Sequence, residues 1–212
     1  MTIWVVLMNK MRVALDIDDV LYKTTEMEIA AEVKFYNERG LSTEENSYSV
    51  YRDGKLLDNL ESYTLRVELQ RQRLIGLLYD YVDTKWLNHD LIDVLKGVND
   101  IEYVILTARQ SIKSVEPLIL EIERLGLHIE EVYVYNGLSK AQVMINEGMD
   151  VLVDDYFENI REVIRLKKKG ILYTAFVDRA ERHKVSYKAK TNEEVIEKLE
   201  KLKQEMYETS KD

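Results

Sequence analysis

The first strong signal in the chain is the segment Val13-Ala14-Leu15-Asp16-Ile17-Asp18-Asp19-Val20-Leu21. Its apolar beginning predicts a buried strand, and three carboxylates follow within four positions, where that strand ends. In a parallel sheet the carboxyl ends of the strands open onto the ligand-binding crevice. Asp16 and Asp18 are two positions apart and would share a face of a regular strand. Like charges that close raise each other's pKa unless a cation lies between them, and hard oxygen ligands of this kind suit Mg²⁺.

A second segment has the same form, Val151-Leu152-Val153-Asp154-Asp155. Two strands that each deliver carboxylates to one edge of a sheet predict a divalent-metal site, which neither pair predicts alone. Asp155 equally fits the N-cap of the next helix, because a carboxylate there accepts hydrogen bonds from free N–H groups. The sequence leaves both roles of Asp155 open.

Five short segments are predicted as strands. They are β-branched and aromatic and nearly unbroken in apolarity: Arg12–Asp16, Glu102–Leu106, Glu131–Tyr135, Asp150–Val153 and Gly170–Val177. Continuous apolarity is typical of strands that are buried on both faces, and helical periodicity separates these segments from the second strand onward. We therefore predict an α/β fold with a Rossmann-like parallel-sheet core in three layers.

Three of the predicted helices are marked by their ends. One has apolar residues at helical spacing between Ile112 and Leu125, and Pro117 is expected in its first turn, where a missing N–H costs little. Another covers 159–169 and ends on a lysine run before Gly170, and the last begins at about Thr191 with a capping box. The last helix has an apolar stripe that fits either its own domain or a second copy of the chain, which leaves a homodimer open: Val195, Leu199, Leu202 and Met206.

One interval breaks the alternation of strand and helix. The distance along the chain from Asp18 to Thr107 is more than twice a β-helix-β step of about 30 to 40 residues. We therefore predict a helical cap at 23–88, inserted after the first strand into a core formed by 1–22 and 89–212. Tyrosines are frequent in the cap, and Tyr22 lies at its entrance. Their rings fit either stacking on a nucleobase or packing within the cap.

Candidates for binding an anion lie between the two acidic segments. Thr107, Ala108 and Arg109 follow the second predicted strand, and Ser139-Lys140 precedes the helical stretch Ala141–Glu147. A hydroxyl, N–H groups after a strand and a lysine at a helix start are what a phosphate oxygen requires. Taken singly, the threonine fits a strand-end cap and the lysine fits a solvated position. Their order along the chain favours a phosphate site.

That order resembles the haloacid dehalogenase superfamily of phosphohydrolases, over about residues 11–180. The four motifs of the superfamily read here as Asp16-Ile17-Asp18, Thr107, Lys140 and Asp154-Asp155. Within the superfamily the chain is most similar to the small 5′-nucleotidase, or deoxyribonucleotidase-type, branch. It departs from that branch at Asp19, where glycine is usual, and in the pair that follows the threonine. Both departures leave the chemistry intact and the substrate open.

The resemblance implies a role for each motif residue. Asp16 would be the nucleophile that forms an aspartyl-phosphate, and Asp18 would first donate a proton to the leaving alkoxide and then take one from water. The implied ligands of Mg²⁺ are Asp16, Asp18 through its backbone carbonyl, and Asp154, with Asp155 binding directly or through water. The implied phosphate-binding groups are Thr107, the N–H of Ala108, and Lys140, with Arg109 as a further cation. Cations are needed because a carboxylate attacking a phosphate dianion meets charge repulsion.

The expected activity is therefore Mg²⁺-dependent hydrolysis of a phosphomonoester, with (deoxy)nucleoside monophosphates as the first candidate substrates. A phosphatase for sugar phosphates or other small metabolites would share every catalytic residue. A non-catalytic module that binds phosphate or metal is the alternative outside enzymes.

Composition excludes several other classes. The 212 residues include no cysteine and only three histidines, which disfavours disulfide scaffolds, thiolate nucleophiles and zinc cages. A net charge of −9 disfavours a protein that coats nucleic acid. The apolar run at residues 3–8 is too short for a membrane helix and follows no positive charge, so we expect neither an anchor nor a signal peptide, and a cytoplasmic location. Residues 1–10 fit either an extra edge strand or an upstream start.

Overall fold

The computed structural model describes residues 10–27, 30, 83–109, 115–135, 137–176 and 185–209. The chain divides into two compact units, Met1–Tyr22 with Asn88–Asp212 and Lys23–Leu87. Most of the predicted cap, together with residues 1–9, lies outside the described residues, so the cap helices and the cap tyrosines stay predictions. Near the end of the second unit, Thr84–Trp86 forms a short 3-10 helix that is capped by the side chain of Asp83.

Six strands among the described residues form one parallel sheet at the centre of the first unit. The strands are β1 Met11–Leu15, β2 Ile101–Thr107, β3 Glu131–Val134, β4 Val151–Asp154, β5 Lys169–Tyr173 and β6 Lys188–Ala189. Their order is β3-β2-β1-β4-β5-β6, and every neighbouring pair is parallel. The predicted Rossmann-like α/β core is confirmed.

Five helices are described in this unit: α1 His89–Leu95, α2 Glu116–Arg124, α3 Lys140–Asn146, α4 Phe157–Arg165 and α5 Asn192–Thr209. The strand order reverses direction at β1, so right-handed crossovers place helices on both faces of the sheet. On one face α3 and α4 pack over a fully buried apolar layer that includes Ala14, Val104 and Leu152. None of the described helices is long and apolar enough to cross a bilayer.

The position of β1 explains where polar residues meet. Val13, Ala14 and Leu15 are 0% exposed because β1 has a strand on either side, β2 and β4, and helices above and below. The three strands end at the same edge, and the topology switches direction between β1 and β4. Such a switch point is the usual ligand crevice of an open α/β sheet.

The prediction for the helix at 159–169 is wrong at its end. Helix α4 ends at Arg165, and Lys167 takes a left-handed φ of 62° directly after it. The N–H groups of Lys167 and Lys168 bond to Ile164 and Val163, which closes a Schellman motif without glycine. Gly170 lies inside β5 instead, where an added Cβ would come within 3.1 Å of Ile160. A side chain at position 170 would therefore require Ile160, on the helix that packs over β5, to shift by a few tenths of an ångström.

One strand prediction is also corrected, and one strand was missed. Strand β5 ends at Tyr173, and Thr174–Phe176 do not continue it. Strand β6 was not predicted, because two residues such as Lys188–Ala189 form no apolar run.

Helix α2 begins at Glu116, later than the apolar spacing from 112 predicts, and Val115 lies in the turn before it. The other helix ends follow the sequence pattern. Pro117 occupies the first turn of α2, and Gly126 follows that helix with a φ of 94°. Thr191 caps α5 by accepting the N–H of Glu194. The apolar stripe of α5 is covered within its own unit by α1, β5 and β6, and three of its members are 0% exposed: Val195, Leu199 and Leu202.

Candidate active site

The ends of β1, β2 and β4 bring the main predicted residues together. Asp16 directly follows β1 and is 7% exposed, Asp154 ends β4 and is 0% exposed, and Thr107 ends β2 and is 0% exposed. The N–H of Asp16 donates to the carbonyl of Val153 at 3.0 Å, which extends the pairing of β1 with β4 into the site. Two carboxylates are thereby held side by side in a nearly dry environment.

Lys140 lies between these two carboxylates. Its Nζ is 2.6 Å from Oδ2 of Asp16 and 2.6 Å from Oδ2 of Asp154. The lysine is 2% exposed and begins α3, whose N-cap is the side chain of Ser139. Burial alone lowers the pKa of Lys140, but the carboxylates of Asp16 and Asp154 outweigh burial and raise it above its ordinary value. The ammonium is therefore a permanent positive charge of the site.

One cation does not neutralise the whole cluster. Burial, together with the charges of Asp154 and Asp18, raises the pKa of Asp16, although Lys140 acts in the opposite direction. Burial, together with the charges of Asp154, Asp16 and Asp19, raises the pKa of Asp155 to about 8. Without a further cation these carboxyl groups resist ionising together.

The residues present fit a divalent hard cation. One carboxylate oxygen from each of Asp16, Asp154 and Asp155 lies within 4.8 Å of the others. All of these donors are oxygens, as Mg²⁺ prefers, and the surplus of negative charge is what a dication would neutralise. The backbone carbonyl of Asp18, also implied as a ligand, stays a prediction.

Asp155 does not cap the following helix. The N-cap of α4 is Tyr156, which makes no side-chain cap bond, and it is Asp154 whose Oδ1 accepts the N–H of Tyr156 at 2.7 Å. Of the two roles that the sequence left open for Asp155, the capping role is wrong.

The predicted acid–base residue Asp18 is paired with Arg109. Its Oδ1 lies 2.7 Å from Nη2 of Arg109, and its Oδ2 accepts from Nε at 3.3 Å. The guanidinium also lies over the ring of Tyr22, 5.5 Å from its centroid. Tyr22 is only 3% exposed, so the hypothesis that its ring stacks on a nucleobase gains no support from this arrangement.

The predicted phosphate-binding groups on β2 have different surroundings. The Oγ1 of Thr107 accepts the N–H of Arg109 at 3.2 Å, whereas Ala108 is exposed at the strand end. Their contact with a phosphoryl group stays a prediction.

Two asparagines that support the site were missed by the sequence reasoning. Nδ2 of Asn159, on the first turn of α4, donates to both carboxylate oxygens of Asp154 at 3.2 and 3.0 Å. Nδ2 of Asn88 donates to the carbonyl of Val20 at 2.9 Å, in the loop that follows Asp18. A signal for Asn159 was available, because a residue five positions after a strand-end aspartate lies on the first turn of the next helix.

The fold is that of known hydrolases. A haloacid dehalogenase-like family hydrolase from Streptococcus pneumoniae is 13% identical, with a TM-score of 0.56 over 90% of this chain and 99% of that chain. A predicted phosphatase from Clostridium acetobutylicum is 14% identical, with a TM-score of 0.56 over 91% and 99%. The magnesium-bound HAD-hydrolase YfnB from Bacillus subtilis is 12% identical, with a TM-score of 0.56 over 90% and 99%.

These likenesses define the class by fold. The chain has the fold of haloacid dehalogenase-like hydrolases over nearly its full length, and at identities of 12 to 14% the likeness concerns the fold alone. No protein-family model and no curated protein matches the chain.

Proposed function

We propose that the protein is a phosphomonoester hydrolase of the haloacid dehalogenase superfamily that uses Mg²⁺ and forms an aspartyl-phosphate on Asp16. The observation that carries this proposal is the position of Lys140, buried and 2.6 Å from both Asp16 and Asp154. A purely structural ion pair needs only one carboxylate for each ammonium. Here the cation serves two carboxylates at the ligand edge of the sheet, next to a third at Asp155.

The surroundings of Asp16 orient it as a nucleophile. Its Oδ1 accepts the N–H of Ile17 at 2.8 Å, and its Oδ2 faces Lys140. Asp16, Asp154 and Asp155 would hold Mg²⁺, which when bound supplies positive charge against the repulsion between the attacking carboxylate and the phosphate. Lys140 contributes charge of the same sign and keeps the carboxylates in place.

The reaction then follows from the positions of two aspartates. An oxygen of Asp16 forms a bond to phosphorus while the bond from phosphorus to the alkoxide breaks, and Asp18 gives its proton to the departing oxygen. In the second half, Asp18 takes a proton from water as the water oxygen attacks phosphorus. Orthophosphate leaves, and the carboxylate of Asp16 is restored.

For the substrate we propose a nucleoside monophosphate. Support comes from the resemblance of the Asp16–Leu21 and Val153–Ile160 segments to the 5′-nucleotidase branch, from which the chain departs at Asp19 and in the pair that follows Thr107. Sugar phosphates and other small phosphorylated metabolites are the second candidates, because the described catalytic residues serve any phosphomonoester.

The test is a substrate panel with a matched variant. Purified protein with Mg²⁺ is expected to release phosphate from p-nitrophenyl phosphate and from nucleoside monophosphates faster than from sugar phosphates. The Asp16→Asn protein is expected to be inactive, while Asp150→Asn, altered at the other end of β4, serves as the control. Turnover by Asp16→Asn at the wild-type rate would show that Asp16 is not the nucleophile. A preference for sugar phosphates would contradict a nucleoside monophosphate as the substrate.

A further inference from the structure

Arg109 and Asp18 form an ion pair in which one side chain is much more buried than the other. The guanidinium binds both carboxylate oxygens, at 2.7 Å through Nη2 and at 3.3 Å through Nε. The side chain of Arg109 is 6% exposed, whereas that of Asp18 is 36% exposed. The arginine is therefore the buried partner, and it holds a carboxylate that stays accessible.

Arg109 is itself fixed from two sides. Its N–H donates to Oγ1 of Thr107 at 3.2 Å, which ties its backbone to the end of β2. Its guanidinium lies 5.5 Å from the ring centroid of Tyr22, and stacking of this kind suits the planar arginine group.

Backbone hydrogen bonds hold Tyr22, whose ring lies beneath the guanidinium, in place. The N–H of Tyr22 donates to the carbonyl of Ile17 at 2.9 Å, and its carbonyl accepts the N–H of Asp19 at 2.8 Å. The loop that carries Asp18 therefore also carries Tyr22, which supports Arg109, the residue that binds Asp18. A two-point contact on such a support fixes the orientation of the carboxylate as well as its distance.

We infer that Arg109 is a positioning residue that aims the carboxylate of Asp18 at the departing oxygen and later at the attacking water. This inference rests on the proposed function. It differs from the two other roles open to an arginine here, which are direct binding of the phosphoryl group and simple balance of negative charge. A positioning role affects only the steps in which Asp18 moves a proton.

Two leaving groups separate these roles. An alkoxide leaves only when the acid of Asp18 delivers a proton to it, whereas p-nitrophenolate is a stable anion and departs with little help. If Arg109 no longer orients Asp18, formation of the aspartyl-phosphate should therefore slow far more with an alkyl phosphate than with p-nitrophenyl phosphate. Hydrolysis of the aspartyl-phosphate needs Asp18 as a base whichever substrate formed it.

The experiment measures the pre-steady-state rate of phosphoenzyme formation and the steady-state kcat and KM for Arg109→Met and Arg109→Lys, with both substrates and saturating Mg²⁺. For Arg109→Met we expect formation of the phosphoenzyme from the alkyl phosphate to fall by about 100-fold, within the usual range for a proton-transfer contribution. With p-nitrophenyl phosphate we expect a rapid release of one nitrophenolate for each active site, followed by slow turnover. We expect Arg109→Lys to be impaired nearly as much as Arg109→Met, since an ammonium keeps the positive charge but cannot make the planar two-point contact with a carboxylate.

Other outcomes overturn the inference. Equal losses with the two substrates, or a raised KM with unchanged kcat, would make Arg109 a phosphate ligand. Full rescue by Arg109→Lys would make it a balancing charge. Both substrates are measured on one preparation, so their ratio does not depend on the fraction of folded protein. Wild-type protein that hydrolyses neither substrate would overturn the proposed function itself, a result that is distinct from any of these.

Discussion

Replacing Lys140 with methionine tests the electrostatic design of the site. The substitution keeps an unbranched side chain one atom shorter than lysine and removes the charge that lies 2.6 Å from each of Asp16 and Asp154. At an effective dielectric constant of about 20, each of these pairs attracts by about 6 kcal/mol, and desolvation of the three groups offsets most of that attraction. Breaking a buried pair typically costs roughly 3 to 5 kcal/mol, because a charge is left uncompensated.

The size of the loss should depend on pH. Burial and neighbouring carboxylates hold the pKa of Asp16 above its ordinary value, and removal of Lys140 raises that pKa further. A folded-state pKa above the unfolded value means that stability is retained at low pH and lost as pH rises through the folded value. The penalty of Lys140→Met should therefore be larger at pH 8 than at pH 5.

The assay is urea unfolding in EDTA, with Lys167→Met as the matched control at an exposed lysine. At pH 8 we expect Lys140→Met to lose about 3 to 5 kcal/mol, which for a chain of this size corresponds to a fall in Tm of about 6 to 20 °C. We expect the control to change by less than about 0.5 kcal/mol. Equal stability of the two variants, or a loss that is the same at pH 5 and pH 8, would refute the reasoning.

Three further predictions concern neighbouring residues. Asp19 has a left-handed φ of 55°, so Asp19→Gly should stabilise the EDTA-treated protein by about 1 kcal/mol. The gain should exceed that of Asp100→Gly, at a φ of 59° on the surface, because Asp19→Gly also removes a negative charge from the carboxylate cluster. Equal gains of the two variants in urea melts would exclude a charge contribution at Asp19. Between pH 3.8 and about 8 Asp155 stays protonated only in the folded state, so its own contribution to the stability of the EDTA-treated protein should fall as pH rises. The slope of stability against pH should therefore be more negative in the wild type than in Asp155→Asn; identical slopes would contradict the raised pKa. Asn159→Ala should weaken Mg²⁺ binding by about 10- to 100-fold in calorimetry, because it removes one of the groups that hold the carboxylate of Asp154 in place; unchanged affinity would show that Asn159 plays no part in the metal site.

The sheet could be predicted because its central strands are buried on both faces. Val13–Leu15 and Val151–Val153 have no polar face, and each run ends in an aspartate. In a parallel sheet those ends must share an edge, so the convergence of Asp16 and Asp154 follows from pattern and topology together. Strand β6 has no such signal, since its two residues pair with β5 only because the chain returns there.

Side-chain partners were less predictable than positions. The sequence placed Lys140 and Arg109 near an anion, but it did not show that Lys140 contacts two carboxylates or that Arg109 grips Asp18. Those contacts depend on the direction in which each side chain leaves its element, which is set by packing. The end of α4 was predicted too late for a related reason. Gly170 was expected to stop the helix, whereas Lys167 adopts the left-handed conformation that ends it.

The central claim is that a phosphoryl group is transferred to Asp16. The most direct measurement is borohydride trapping during turnover of p-nitrophenyl phosphate, followed by peptide mass spectrometry, since borohydride reduces an aspartyl-phosphate to homoserine and leaves free aspartate unchanged. We expect homoserine at position 16, only when substrate and Mg²⁺ are both present. Hydrolysis that proceeds with Asp16 unmodified, or with the modification at another aspartate, would contradict the account.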